Sequence, residues 1–283
     1  MITTISNSNL IAIINHLGAE LIFLRTKENK EYIWEGNPEF WGKHSPILFP
    51  IVGTLKNNTY LFNGVEYHLS RHGFARDMEF TVIEKSSDSV TFSLLSSEET
   101  RKVYPFDFEL QVIYILEENR LNIEYQVLNK SQSQMPFSIG AHPAFALPGN
   151  FEDYSLEFEH DEPLEYYLLE NDLISDKTKK LEVENKTTSL NYELFKNDAL
   201  IFKSLQSQAL TILKNTDPLL RTTFNGFPNL GLWTKKDAPF LCIEPWYGYS
   251  DTGENFGNLF KKEGIQILNK NEVFQSKFSI ETL

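Results

Sequence analysis

Three short stretches, far apart in a chain of 283 residues, carry side chains suited to proton transfer. Gly140-Ala141-His142-Pro143-Ala144-Phe145 sets an imidazole between small residues and a proline. Ser70-Arg71-His72-Gly73-Phe74-Ala75-Arg76 adds a second histidine beside two arginines, and Cys242-Ile243-Glu244-Pro245-Trp246-Tyr247 embeds a carboxylate among apolar and aromatic residues. Acid–base chemistry needs one group that gives a proton and one that takes it, each tuned toward the working pH. His142 and Glu244 are the residue types for those roles, and the neighbouring aromatics offer flat faces on which a sugar ring can stack. A carboxylate in so apolar a run costs several kcal/mol unless it is paired or used. The structural alternative is an ion pair from Glu244 to Arg71 or Arg76. His16, His44, His68 and His160 lie in no comparable setting and read as structural.

Positioning such groups falls to β-structure. The run Arg120–Asn129 alternates Leu121, Ile123, Tyr125 and Val127 with polar residues, the period-two pattern of a half-buried strand. Similar runs occur at Leu10–Asn15, Ala19–Arg25, Tyr32–Trp34, Glu79–Glu84, Ser89–Leu95, Asp107–Leu116, Ala199–Lys203, Gln208–Leu213, Leu219–Phe224, Asn229–Trp233, Phe240–Ile243 and Val273–Glu281. Asn63-Gly64 between Thr59–Phe62 and Val65–Leu69 predicts a hairpin that leads into Arg71-His72. Residues 37–53, broken by three prolines, read as an ordered loop crossing the molecule, and Ser97–Tyr104 as one short helical turn stopped by Pro105. The polar section from Asn150 to Asn191 reads as a solvated face. About eighteen short strand-like segments with almost no helical periodicity predict an all-β fold, a large β-sandwich of twisted antiparallel sheets. The absence of a linker or a repeat predicts one continuous domain over residues 1–283. A site on such a frame is assembled across the sheets, in keeping with separations of about 70 and 100 residues between the three stretches.

Composition narrows the partners. A net charge of −13 repels nucleic acid and anionic membrane surfaces, while leaving room for a small anion beside a local arginine pair. The single cysteine, Cys242, excludes an internal disulfide framework and a multi-cysteine zinc site and fits a reducing compartment. With no signal-like or membrane-spanning run, the expectation is a cytoplasmic protein, monomer or homodimer, with a small-molecule partner.

The chain resembles the aldose 1-epimerases (galactose mutarotases), in particular the LacX-like branch. The resemblance rests on His72–Arg76, Tyr104-Pro105-Phe106, Gly140–Phe145, Asn197-Asp198-Ala199-Leu200-Ile201-Phe202 and Ile243–Gly248, which fall in the family's order over most of the chain. It implies a galactose mutarotase-like supersandwich that interconverts the α and β anomers of an aldohexose without cofactor or metal. It also implies that His142 is the general acid, that Glu244 is the general base, and that His72 and Asp198 bind sugar hydroxyls. Arg71, Arg76, Phe145 and Trp246 join the candidate substrate-binding set, Phe145 as a wall of the cleft, with Gly140 and Ala141 leaving room for the sugar. One position departs from the family: an arginine common in its members falls on Thr54, so that Arg71, Arg76 or Lys56 would take its place. Four alternatives stay open. They are a hexose-6-phosphate 1-epimerase with Arg71 and Arg76 on the phosphate, and a non-catalytic carbohydrate-binding protein stacking sugars on Trp41, Trp246 and Tyr247. The others are a glycoside hydrolase pairing Glu244 with Asp198, and a metal site from His72, His142 and Glu244.

Overall fold

The computed structural model describes residues 1–254 and 257–283. Two large sheets dominate it. The nine-stranded sheet runs in the order Thr187–Ser189, Tyr154–Phe158, Ala209–Lys214, Asp217–Thr223, Val273–Thr282, Arg120–Asn129, Phe108–Glu117, Ser89–Leu95, Thr81–Lys85. The eight-stranded sheet runs Leu173–Leu181, Leu164–Glu170, Leu200–Phe202, Asn229–Trp233, Phe240–Tyr247, Ile139–Ala141, Ile47–Leu48, and Ala144–Ala146 also pairs with Phe240–Tyr247. Neighbours pair antiparallel, as in Arg120–Asn129 with Val273–Thr282 and Asn229–Trp233 with Phe240–Tyr247.

Alternation along the strands makes the core. Leu121, Ile123, Tyr125 and Val127 are all buried, as the period-two pattern predicts. They belong to the main cluster with Leu110, Val112, Phe278 and Ile280 of the same sheet and with Leu230, Leu232, Leu241 and Ile243 of the eight-stranded sheet. The opposite face of the eight-stranded sheet carries Leu48, Ile201 and Trp246 in one smaller cluster and Ala144, Phe240 and Cys242 in another. A sheet apolar on both faces must cover the second with loops, and those loops build the rim of a cleft.

Asn63 and Gly64 both take positive φ, 50° and 78°, and close the expected hairpin. The helical turn is Glu98–Val103, capped by Ser97, whose side chain accepts from the Thr100 amide. The proline-broken loop is ordered by buried Glu20, which accepts from the amides of His44 and Ser45 at 2.7 and 3.0 Å. Tyr32–Trp34, expected as a strand, forms only an isolated bridge, from Ile33 to Phe145. Residues 150–191 keep their charged side chains exposed or half-buried, as a solvated face requires, and also form the strands Tyr154–Phe158, Leu164–Glu170, Leu173–Leu181 and Thr187–Ser189. At the N-terminus Ile2–Ser6 is a strand, paired with Leu10–Asn15. No helix among the described residues is long and apolar enough to cross a membrane.

Candidate active site

His142 and Glu244 owe their meeting to register. Ile139 and Gly140 pair with Tyr247 and Trp246, and beyond Pro143 the residues Ala144, Phe145 and Ala146 pair with Cys242, Leu241 and Phe240. The count is unbroken across the gap, so position 142 stands directly opposite position 244. Directly opposed side chains on antiparallel strands lie close enough to touch. Here His142 Nε2 lies 3.2 Å from Glu244 Oε2. Both residues are buried, His142 with 8% and Glu244 with 1% of its surface exposed. The contact is not aligned as a hydrogen bond: Glu244 Oε2 and His142 Nδ1 are buried without a hydrogen-bonding partner in the protein. Such atoms are costly unless something else bonds to them.

The other cleft residues lie on the same sheet or on the loops beside it. Asp198 precedes Leu200–Phe202, Trp233 ends the next strand, Glu244 and Trp246 share the one after, and His72 lies beyond Ile47–Leu48, beside the bridge of Phe49 to Gly73. Together with Trp41, Arg71, Arg76, His142 and Ala199 they line a cleft of about 320 Å³. That is the lower end of the ~300–1,000 Å³ typical of small-molecule sites, a size for one small ring rather than a chain. Grooves of about 540 and 800 Å³ lie elsewhere, lined by Tyr125, Lys277 and their neighbours and by Tyr167, Lys203 and theirs, and neither contains a histidine.

Rings enclose the imidazole of His142. Trp41 stacks on it at 4.8 Å between centroids, and Trp233 and His72 meet it edge-on at 5.9 and 5.8 Å. The Trp34 indole holds Trp41 in place by donating to the Trp41 carbonyl at 2.9 Å. This burial pushes His142 down to about 3, with the cations Arg71 and Arg76 acting in the same direction. Burial also raises the Glu244 carboxyl well above the usual carboxylate range; Arg71 opposes that shift and Asp198 adds to it. The buried pair therefore favours neutral forms, the carboxyl protonated and the imidazole uncharged.

His72 is fixed by its backbone and by its ring. Its amide donates to the Gly53 carbonyl at 2.8 Å, and the Gly53 amide donates to Nδ1 at 3.1 Å. Burial, His142 and the two arginines hold it well below the ordinary histidine value. Arg71 Nε donates to the other ring nitrogen, Nε2, at 3.3 Å, so both nitrogens face N–H donors although a neutral ring accepts at one only. The Gly53 loop is tied down in turn: the Thr54 amide donates to Ser250 Oγ at 2.9 Å, and Asp251, paired with buried Lys262 at 3.1 Å, accepts from the Lys56 amide.

Of the candidate residues, His142, Glu244, His72, Asp198, Arg71, Arg76 and Trp246 all line the cleft. Phe145 does not. Parity with His142 turns Ala144 toward the cleft side and Phe145 into the main core, fully buried. Gly140 makes room for protein rather than for sugar: a Cβ there would stand 2.4 Å from Trp246 Cδ1, and one at Gly231 would stand 2.4 Å from Cη2 of the same indole. Tyr247 packs against Phe227 and Phe274 on the far side of its strand, away from the cleft. Glu244 pairs with His142 and with neither arginine. Thr54 and Lys56 lie outside the cleft, Lys56 bonding the Gly253 carbonyl, which leaves Arg71 and Arg76 as its basic residues. Trp233 went unread; its parity with Gly231 along Asn229–Trp233 is the signal that marks it. His16, His44, His68 and His160 bond or pair with Thr3, Trp34, Glu66 and Glu159 away from the cleft. Donor atoms of His142, Cys242 and Glu244 lie within 4.8 Å of one another, with Cys242 in place of His72. Burial and Glu244 hold the Cys242 thiol well above its ordinary value, which favours the thiol over the thiolate a cation would bind.

This antiparallel β-sandwich, with a buried histidine–glutamate pair on the outer face of one sheet, matches the aldose 1-epimerase family over residues 1–280. The chain belongs to that family, and its fold is the galactose mutarotase-like fold. It is 37% identical to the plasmid-encoded protein LacX of Lactococcus lactis subsp. lactis over 280 residues, 92% of each chain. Among solved structures it is similar to a galactose mutarotase related enzyme from Lactobacillus acidophilus, with 34% identity, a TM-score of 0.95, and 100% of this chain and 97% of that one covered. It is also similar to a galactose mutarotase-like protein from Lactobacillus casei, with 31% identity, a TM-score of 0.95 and both chains covered in full.

Proposed function

We propose that the protein is an aldose 1-epimerase that interconverts the α and β anomers of an aldohexose. The observation that carries this reading is the 3.2 Å approach of His142 Nε2 to Glu244 Oε2 inside the cleft. Ring opening takes a proton from the anomeric hydroxyl and gives one to the ring oxygen, and both oxygens are bonded to the same carbon. A base and an acid that touch each other can serve two such oxygens together, within the hydrogen-bond reach that proton transfer requires.

In the protein alone, burial favours the proton on Glu244. A hydroxyl that donates to Oε2 stabilises the carboxylate form, and the pair's proton then passes to His142 Nε2. From that state Glu244 takes the anomeric proton while His142 protonates the ring oxygen, and the C1–O5 bond breaks to give the aldehyde. Rotation about C1–C2 and the reverse transfers close the other anomer and return both protons. His72 and Asp198 hold hydroxyls, and Trp41 and Trp233 keep water from the pair.

Polarimetry or NMR of freshly dissolved α-glucose and α-galactose tests this. The expected result is anomer equilibration faster than in buffer for at least one sugar. Failure to accelerate any aldose, glucose 6-phosphate included, would overturn it.

A further inference from the structure

At the rim of the cleft Arg71 is held between two carboxylates. Its Nη1 donates to Asp172 Oδ1 at 3.0 Å, and Nη2 lies 3.7 Å from Asp198 Oδ2. Asp172 comes from the turn of the hairpin Leu164–Glu170 and Leu173–Leu181. Asn171 and Asp172 take positive φ, 53° and 64°, in a tight two-residue turn, and the Ile174 amide donates to the Asp251 carbonyl at 2.8 Å, fastening the hairpin beside the cleft. The second arginine is partly engaged: Arg76 Nη2 donates to the Arg71 carbonyl at 2.8 Å, while Nε, 3.6 Å from Asp77 Oδ2, is buried without a hydrogen-bonding partner.

On the reading that the cleft binds an aldose, we infer that Asp172 is a specificity-determining residue that makes the subsite beside Arg71 accept a neutral hydroxyl-bearing sugar and disfavour a phosphorylated or carboxylated one. A phosphate monoester carries a charge of about −1.5 to −2 at neutral pH. To use Arg71 it must displace Asp172 or lie beside two carboxylates, and like charges brought together discriminate against the wrong partner. A sugar hydroxyl has no such conflict, since it donates to a carboxylate and accepts from the guanidinium at once.

The test compares binding of glucose and glucose 6-phosphate to wild type, Asp172→Asn and Asp176→Asn, read by quenching of the cleft tryptophans and, separately, by mutarotation. Asp176 lies in the same hairpin but lines a different groove. Wild type should favour glucose. Asp172→Asn should raise the affinity for glucose 6-phosphate relative to glucose by up to about fivefold, the upper end for one exposed ion pair, and the gain should shrink in high salt. Asp176→Asn should leave the ratio where it was. A ratio unmoved by Asp172→Asn, an equal rise in Asp176→Asn, or a wild type that prefers glucose 6-phosphate would overturn the inference. Absence of mutarotation with either sugar would count against the epimerase reading alone, because quenching still decides the charge rule.

Discussion

Nε2 of His142 and Oε2 of Glu244 stand 3.2 Å apart, at positions that the strand register sets face to face. On the proposed mechanism one proton passes between the two, so His142→Asn and Glu244→Gln should each lower kcat/KM by about 10²–10⁴, the usual share of a general acid or base. The double variant should be little worse than the poorer single one, because groups that act as a unit are strongly non-additive. Losses that simply multiplied would show two independent functions.

The same pair makes a prediction about stability. In the folded protein Glu244 is held well above its ordinary 4.5, so its contribution is complete below pH 4.5 and is lost as pH rises toward the folded value. His142, lowered from 6.5 to about 3, contributes fully above pH 6.5 and loses that contribution as pH falls toward 3. The two oppose each other between 4.5 and 6.5, and above 6.5 only the Glu244 effect still varies. Urea midpoints of Glu244→Gln should therefore gain on wild type as pH rises above 6.5 toward the raised folded value. A constant difference across that range would contradict a raised Glu244.

Trp41 is the shield of the imidazole, stacked at 4.8 Å. Trp41→Ala admits water and removes part of the leading cause of the His142 shift, so the titration midpoint should move up from about 3 toward 6.5. NMR titration of the His142 ring protons reads this directly. An unmoved midpoint would place the shielding elsewhere.

Gly140 is fixed by packing, since its φ is not in the left-handed region. A methyl group at this site meets the Trp246 ring at 2.4 Å, and overpacking of this kind costs about 1–3 kcal/mol. Gly140→Ala should lower the urea midpoint accordingly, and the cost should largely vanish in a Trp246→Leu background, where the indole is gone. An equal cost in both backgrounds would point to the backbone instead.

Much of the frame was legible because alternation is a strong signal where one face is buried and the other wet, as in Arg120–Asn129. It was weakest where polar residues dominate composition yet keep parity, as in Tyr154–Phe158 within the section read as a solvated face. The site residues were identified by type and by resemblance, and seven of the eight candidates reach the cleft. Phe145 was misplaced by adjacency along the chain; counting two residues on from His142 selects Ala144. Gly140 was misread because the neighbour that needs its space, Trp246, is 106 positions away in sequence. Asp172 carries no local signal at all, since only the closure of its hairpin brings it to Arg71.

The unbroken count through Pro143 also divides the tolerated length changes from the disastrous ones. Residues added to a surface connection lengthen a loop at small entropic cost. One residue added inside Phe240–Tyr247, ahead of Glu244, transposes every later side chain to the other side of the sheet, sending the carboxylate toward the greasy interior and putting an isoleucine in its place. The spacing of this chemistry is written in ladder hydrogen bonds, so single side chains on the face can be exchanged while the chain length beneath them cannot.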